Sequence, residues 1–381
     1  MYKKDLHPPI LYFHSVAPQK NSNWVKSYLT LELKYFEDIL KYIKKKKLKT
    51  FFISEMDNPK YTVSNSIGLS FDDGYLDNFV YVFPLLRKFN IKATIFVSID
   101  FIDRRDIIRS TLMDVWNNKL KEEELNSWGY LSVKELETMI KSGLVDIQSH
   151  TKTHDKYPVS DKIIGFHHPQ NIDINEYLAE NPKEKPYYIN DSSIYSKIPH
   201  GKPIFEKKSA LLSPRIWINE NFKNEIANSL KDFDFNKFPA KDAYKKVFPI
   251  IEKCRNNDEI IGSKESYNNY IERIKHEICD SKIHLEQLLK KPINVICWPN
   301  GDFNKTTLEI ARKAGFNKIH YVEPKSNNIA ADNDLFTRIG ISSYRNKRYL
   351  SLLRSIIRIN NYKGIFPYKQ LISAFHFIKH K

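Results

Sequence analysis

With 381 residues, 41% of them hydrophobic and 13% aromatic, the chain has the apolar material for one large α/β domain with an insertion, or for two domains, and global disorder is excluded. Net charge is +16, from 61 Lys and Arg against 45 Asp and Glu. Residues 341–381 hold nine of the basic residues and none of the acidic ones, so a locally basic tail is expected in place of a general nucleic-acid surface.

Cys254, Cys279 and Cys297 form no close pair, which argues against a disulfide framework and fits a reducing compartment. The first residues lack the apolar core of a signal peptide, and no apolar run reaches the roughly 18 residues of a membrane span. A soluble cytoplasmic protein is expected. Ile10–Phe13 is a short apolar run after Pro8-Pro9 and reads as a strand with His14 at its carboxyl end. Leu33, Phe36, Ile39, Leu40 and Ile43 have helical spacing over Leu31–Lys45, with Thr30 as cap, and Lys49–Ile53 is a further strand.

The chain is organised around Ser66–Asp77. Ile67–Phe71 reads as a buried strand that stops at Asp72, Asp73 and Gly74. Adjacent residues at a strand end point in different directions, so one carboxylate can grip a metal while the other handles a proton. Gly74 permits the sharp turn such a site needs. Asn78–Phe89 follows as a helix that Pro84 starts or kinks, then Ala93–Val97 as a strand. Ser132–Glu135 is a capping box for a helix to Lys141 that Gly143 closes. Leu144–Gln148 is a strand ending in Ser149-His150-Thr-Lys-Thr-His154. Ser263–Leu289 is strongly helical, Ile293–Cys297 a strand running into Trp298-Pro299-Asn300-Gly301, and Leu308–Lys313 a helix closed by Gly315. Polar clusters fall at strand carboxyl ends, the layout of a (β/α) barrel or open α/β sheet.

Lys156–Gly262 is polar and lacks this alternation; it reads as an insertion, a lid or substrate wall. The expected division is a barrel over residues 1–345, interrupted by 156–262, with a basic amphipathic helical tail over 346–381. In that tail Leu350, Leu353 and Ile357 share a helical face, and Leu371, Phe375 and Ile378 repeat the pattern. Such a segment suits peripheral contact with an anionic membrane; the plainer reading packs it on the barrel.

His150 and His154 lie four residues apart in a loop after a strand, where both imidazoles can converge on one ion; the alternative is two solvent-facing histidines. Two His and one carboxylate suit Zn²⁺ or a related divalent ion such as Co²⁺, Ni²⁺, Mn²⁺ or Fe²⁺. His167, His168 and His200 have no carboxylate at fixed spacing and suit surface or substrate-wall roles.

Ser70-Phe-Asp-Asp-Gly74, His150-Thr-Lys-Thr-His154 and Trp298-Pro-Asn-Gly301, in that order, resemble the polysaccharide deacetylases, the NodB-homology group (carbohydrate esterase family 4). The resemblance covers Pro8–Val97, Leu144–His154 and about Ser281–Ile341. It implies a distorted (β/α) barrel of about seven strands and removal of acetyl from an N-acetylated sugar. By the same resemblance Asp72 is the catalytic base, and Asp73, His150 and His154 hold one divalent ion. The family's third motif often reads Arg-x-Pro-Tyr-Gly; here Cys297 takes the place of the Arg and Asn300 that of the Tyr. Arg338, in Phe336-Thr-Arg-Ile339, is the candidate to brace Asp72 instead. The family's late Leu-x-His motif is absent after Gly301, but Ile10–His14 has its form, as in a permuted branch whose catalytic strand comes first. This makes His14 the candidate acid.

Amide hydrolysis at neutral pH needs an activated water, which a divalent ion supplies. Asp72 would take the water's proton, and a backbone N–H near Pro299-Asn300 would help hold the oxyanion. His14 would donate to the departing amine. Tyr75 and Trp298 are placed to stack on a sugar, or to pack. The substrate class expected is a surface polysaccharide, lipopolysaccharide or lipid- or nucleotide-linked precursor. The alternatives are an inactive glycan-binding protein of the same fold and a basic nucleic-acid or membrane-binding protein, distinguished by the absence of acetate release.

Overall fold

The computed structural model describes residues 7–18, 29–191, 193–322, 335–341, 348–366 and 368. Seven strands form the frame: β1 (Ile10–Phe13), β2 (Ser66–Phe71), β3 (Ala93–Val97), β4 (Val145–Ser149), β5 (Val295–Cys297), β6 (Lys318–Val322) and β7 (Leu335–Gly340). Each pairs in parallel with the next, and β1 closes the ring between β7 and β2, with Ile10 opposite Gly68 and Leu11 opposite Ile339. This is the closed seven-stranded parallel barrel that the resemblance implies, and one of the two architectures that the alternation of strands and helices left open. Strand interiors are buried on both faces, as parallel strands covered by helices require: every residue of β2, β3 and β4 is buried.

The barrel is irregular in two places. One side of β2 is shared, Lys49–Phe51 pairing with its first half and β3 with its last two residues. The β4–β5 seam rests on a single register pair, Ile296 opposite Ser149. Helix Leu33–Lys45 packs its Tyr35, Phe36, Ile39, Leu40 and Ile43 face inward. Its amphipathic spacing was legible in the sequence.

The helix after the paired carboxylates differs from expectation in its first turn: Asn78–Val82 is a π-turn leading into an α-helix over Phe83–Phe89. Residues 263–289 are also not one helix. Ile261–Lys264 is a strand paired with Ile216–Ile218, and the helix starts at Tyr267 under a Ser266 cap.

A second apolar cluster lies between Ile163 and Ile261, apart from that of the barrel. Lys156–Phe166 pairs antiparallel with Pro203–Ser209, and helices Glu220–Leu230 and Ala240–Asn256 lie against them. Phe166, Phe205, Phe222, Ile226 and Val247 fill the space between. His168 stacks on Phe235 at 4.3 Å between ring centres, and the His200 ring lies 5.3 Å from the same ring. These histidines are packing groups of this cluster.

Helix Arg348–Tyr362 lies on the barrel. The Tyr35 hydroxyl donates to the Ser351 carbonyl at 2.8 Å, Arg348 pairs with Asp38, and Ile357 and Ile359 are buried, while Leu350 and Leu353 stay exposed. Leu371, Phe375 and Ile378 lie outside the described residues. Among the described residues no helix is long and apolar enough to cross a membrane.

Candidate active site

The carboxyl ends of the barrel strands open into a cavity of about 880 Å³. The barrel contributes His14, Asp72, Asp73, His150 and Asn300 to its lining, and the 156–262 segment contributes a facing wall that includes Ile164, Ile172 and Lys207.

Asp72 and Asp73 diverge because the chain turns sharply after β2. Asp73 and Gly74 have φ of 71° and 70°, a left-handed pair. A Cβ on Gly74 would sit 2.9 Å from a Val97 methyl, so the turn needs glycine for space as well as conformation.

Asp72 is buried at 3% exposure and points to the barrel axis. There Arg338 of β7 grips it with two bonds, Nη1 to Oδ1 at 2.7 Å and Nη2 to Oδ2 at 2.8 Å. The same guanidinium donates to Ser70 Oγ at 3.1 Å and contacts Cys297 Sγ at 2.8 Å, and Tyr12 covers its face at 4.9 Å. Burial alone would raise the Asp72 carboxyl, but the Arg338 charge and hydrogen bonds bring it below the usual carboxylate range. On the open side His14 Nε2 stands 4.0 Å from Asp72 Oδ2.

Asp73 faces the other way, toward the loop after β4. His150 Nε2 lies 3.3 Å and His154 Nε2 3.4 Å from the same oxygen, Asp73 Oδ1. His150 is tethered by its other nitrogen: Nδ1 donates to the Cys297 carbonyl at 2.9 Å, which turns Nε2 toward Asp73. Asp73 Oδ1 is buried without a hydrogen bond of accepted geometry, and burial of the carboxyl is outweighed by the two imidazoles, which bring it well below its ordinary value. Three ligand atoms thus lie within 4.8 Å of one another, one of them an oxygen that needs a cation. This donor set fits a divalent ion of the Zn²⁺ class. Asp72, His150 and Cys297 form a second group within the same distance, but Arg338 already occupies the Asp72 carboxylate and the Cys297 thiol.

The cavity's aromatic side is Tyr75, Tyr130 and Tyr188, with Tyr75 and Tyr130 ring centres 5.4 Å apart. Trp298 departs from the stacking role weighed for it. Its ring is 1% exposed and stacks on Phe303 at 6.2 Å, so it offers no open face to a sugar. Asn300, φ 57°, lines the cavity in the turn Pro299–Gly301.

Several contributors were not legible as motifs. Asn78 Nδ2 donates to the His14 carbonyl at 2.9 Å, and Asp77 accepts from Ser15 Oγ at 2.5 Å, so the residues just after the Asp-Asp-Gly turn anchor the backbone that carries His14. Lys185 and Glu277 hold the loop between His150 and His154. Only their spatial neighbours give them away, since neither lies within ten residues of the paired carboxylates.

A closed parallel barrel with a buried Arg-bound carboxylate beside an Asp-His-His set at the carboxyl ends of its strands is the layout of a barrel hydrolase. Residues 59–184 and 264–319 match the family model for polysaccharide deacetylase, a NodB-type domain. Among solved structures, a de-N-acetylase from Aggregatibacter actinomycetemcomitans is 16% identical with a TM-score of 0.51, covering 87% of this chain and 94% of that one. The BpsB deacetylase domain from Bordetella bronchiseptica is 17% identical with a TM-score of 0.49, over 89% and 97%. IcaB from Ammonifex degensii is 14% identical with a TM-score of 0.49, over 91% and 96%. Among curated protein sequences none matches. At such identity the likeness to the first of these speaks for the fold alone; the family match supports a deacetylase function.

Proposed function

We propose that the chain is a metal-dependent hydrolase that removes the N-acetyl group from an amino sugar of a surface polysaccharide, lipopolysaccharide or lipid- or nucleotide-linked precursor. The observation that carries this reading is the position of Asp72. Its carboxylate is bound by Arg338 on the buried side, faces His14 on the open side, and neighbours the Asp73, His150 and His154 group in one cavity.

A divalent ion held by Asp73, His150 and His154 would lower the pKa of a water and polarise the acetyl carbonyl. The rest follows from the chain's own groups. Arg338 keeps Asp72 ionised and fixes the plane of its carboxylate, so Asp72 is ready to accept the proton of the attacking water. His14, on the solvent side of Asp72, is placed to protonate the nitrogen as the amine departs. The turn at Asn300 supports a role for its backbone N–H toward the carbonyl oxygen, and the tyrosine side suits the apolar face of a pyranose. That β1, carrying His14, comes first in the chain and still closes the barrel beside β2 supports the permuted arrangement. Exposed Leu350, Leu353 and Tyr349 on the basic helix Arg348–Tyr362 support peripheral contact with an anionic membrane surface.

The test is acetate release from N-acetylated amino-sugar oligosaccharides, measured beside bound metal. The expected result is about one divalent ion per chain, with Asp72→Asn keeping the ion and losing acetate release. Full turnover in Asp72→Asn removes Asp72 from the mechanism. A wild-type chain that binds the sugar but never releases acetate establishes the glycan-binding alternative.

A further inference from the structure

The loop that carries both histidines cannot hold itself. Backbone pairing of β4 ends at Ser149, and Thr151 and His154 have φ of 64° and 55°. A left-handed backbone costs a non-glycine residue roughly 1–2 kcal/mol each. Groups outside the loop hold it: the Asp100 N–H donates to the Lys152 carbonyl at 3.0 Å, Ser98 Oγ donates to the His150 carbonyl at 2.8 Å, and at Thr153 two buried ionisable side chains take over.

Lys185 belongs to the 156–262 segment, one residue past the end of the first stretch that the family model matches. Its side chain is fully buried. Nζ donates to the Thr153 carbonyl at 3.0 Å and to Asp155 Oδ1 at 2.8 Å, and stands 3.7 Å from Asp100 Oδ2. Glu277, 4% exposed, comes from the turn His276–Asp280 and approaches from the helix side. It accepts from the Thr153 N–H at 3.0 Å and from the Thr153 hydroxyl at 2.6 Å. The two peptide groups flanking Thr153 are therefore each held by a buried charge, one through its N–H and the other through the carbonyl bonded to His154. Burying an ammonium and a carboxylate costs several kcal/mol per ion before pairing, and an apolar pair would fill the same space more cheaply. The geometry they secure is that of the loop.

We infer that Lys185 and Glu277 are positioning residues that clamp Thr153 and set His154 in the left-handed conformation from which Nε2 reaches Asp73. The inference rests on reading Asp73, His150 and His154 as metal ligands. It also gives the 156–262 segment a second task beyond walling the cavity: it carries one jaw of the clamp. Outer contacts of this kind are worth about 10–100-fold in metal affinity.

The test is calorimetric titration of the full chain with Zn²⁺ alone, beside the melting temperature of the metal-free chain. Lys185→Met is expected to weaken Zn²⁺ binding about 10–100-fold. Glu277→Gln, which keeps the shape and one acceptor for the Thr153 N–H, is expected to weaken it by about half that range on a logarithmic scale. Lys223→Met is the control for losing a buried charge of the same segment: Lys223 is 3% exposed and bonded to Glu176 at 2.7 Å. It should lower the melting temperature and leave Zn²⁺ affinity at the wild-type value. Wild-type affinity in Lys185→Met overturns the clamp, as does equal weakening in Lys223→Met. If Lys185→Met does not fold, Glu277→Gln decides: unchanged affinity there overturns the inference. A wild-type chain that binds no Zn²⁺ removes the ligand reading itself and the clamp with it.

Discussion

Arg338 and Asp72 are joined across 266 positions of sequence by two hydrogen bonds of 2.7 and 2.8 Å, with side chains 0% and 4% exposed. Breaking such a pair from one side leaves a buried charge without a partner, at a cost of about 3–5 kcal/mol. Arg338→Met keeps the volume of the aliphatic stem, removes the guanidinium that lies over Tyr12 and Phe96, and strands the carboxylate. Asp72→Asn strands the guanidinium, softened by its remaining contacts to Ser70 and Cys297. In Arg338→Met/Asp72→Asn neither charge is left, so the double variant should cost no more than the worse single one. The expected coupling is about 3 kcal/mol or more. Urea denaturation of all four proteins in chelator, at one neutral pH, measures it without any contribution from a bound ion. Additivity within about 0.5 kcal/mol would show that the two groups do not depend on each other, and the account of how Asp72 is kept ionised would fail.

Three further outcomes follow from the same structure. His320 is 0% exposed between Phe96 and Phe336, and burial followed by the Arg338 charge lowers its pKa well below 6.5. Its folded state is neutral, so the stability it contributes is present above its unfolded value and lost as pH falls. From pH 6.5 to 5 the wild type should lose up to about 2 kcal/mol that His320→Leu retains, and parallel pH–stability curves would refute this. Asp77 shows the opposite sign. Burial pushes its carboxyl up to about 7, against hydrogen bonds from Ser15 and Asn78, so the folded state favours the protonated form. The stability that this form contributes is complete at the acid end and lost as pH rises to about 7. Asp77→Asn should gain on the wild type by up to about 4 kcal/mol across that window and then hold level; a constant gap from pH 4 to 8 would refute it. Gly74→Ala should lower stability by about 1–3 kcal/mol, through strain at φ 70° and collision with Val97. A variant as stable as wild type in thermal melts would show that the Asp-Asp turn tolerates a Cβ.

The sequence by itself determined whatever depends on neighbours along the chain. Strand-to-loop junctions are local, so Asp72-Asp73-Gly74, His150–His154 and His14 were each legible as polar residues at the carboxyl end of an apolar run. The alternation of such runs with amphipathic helices narrowed the fold to a (β/α) barrel or an open α/β sheet, and the resemblance carried by the three motifs pointed to the barrel. Tertiary structure alone decided what depends on closure. Parallel strands pair with partners tens to hundreds of residues away, and no local signal records that β1 inserts between β7 and β2 to bring His14 within 4.0 Å of Asp72. Arg338 was the sequence's candidate to brace Asp72 on weak local grounds; the inward register of β7 is what makes it that partner. Cys297, a departure when read as a motif position, turns out to contribute its backbone carbonyl to His150 and its sulfur to Arg338. Lys185 and Glu277 lay in stretches that composition marked as polar insertion and plain helix. Folding buries both side chains against the two peptide groups that flank Thr153, and burial is a property that a linear sequence does not carry.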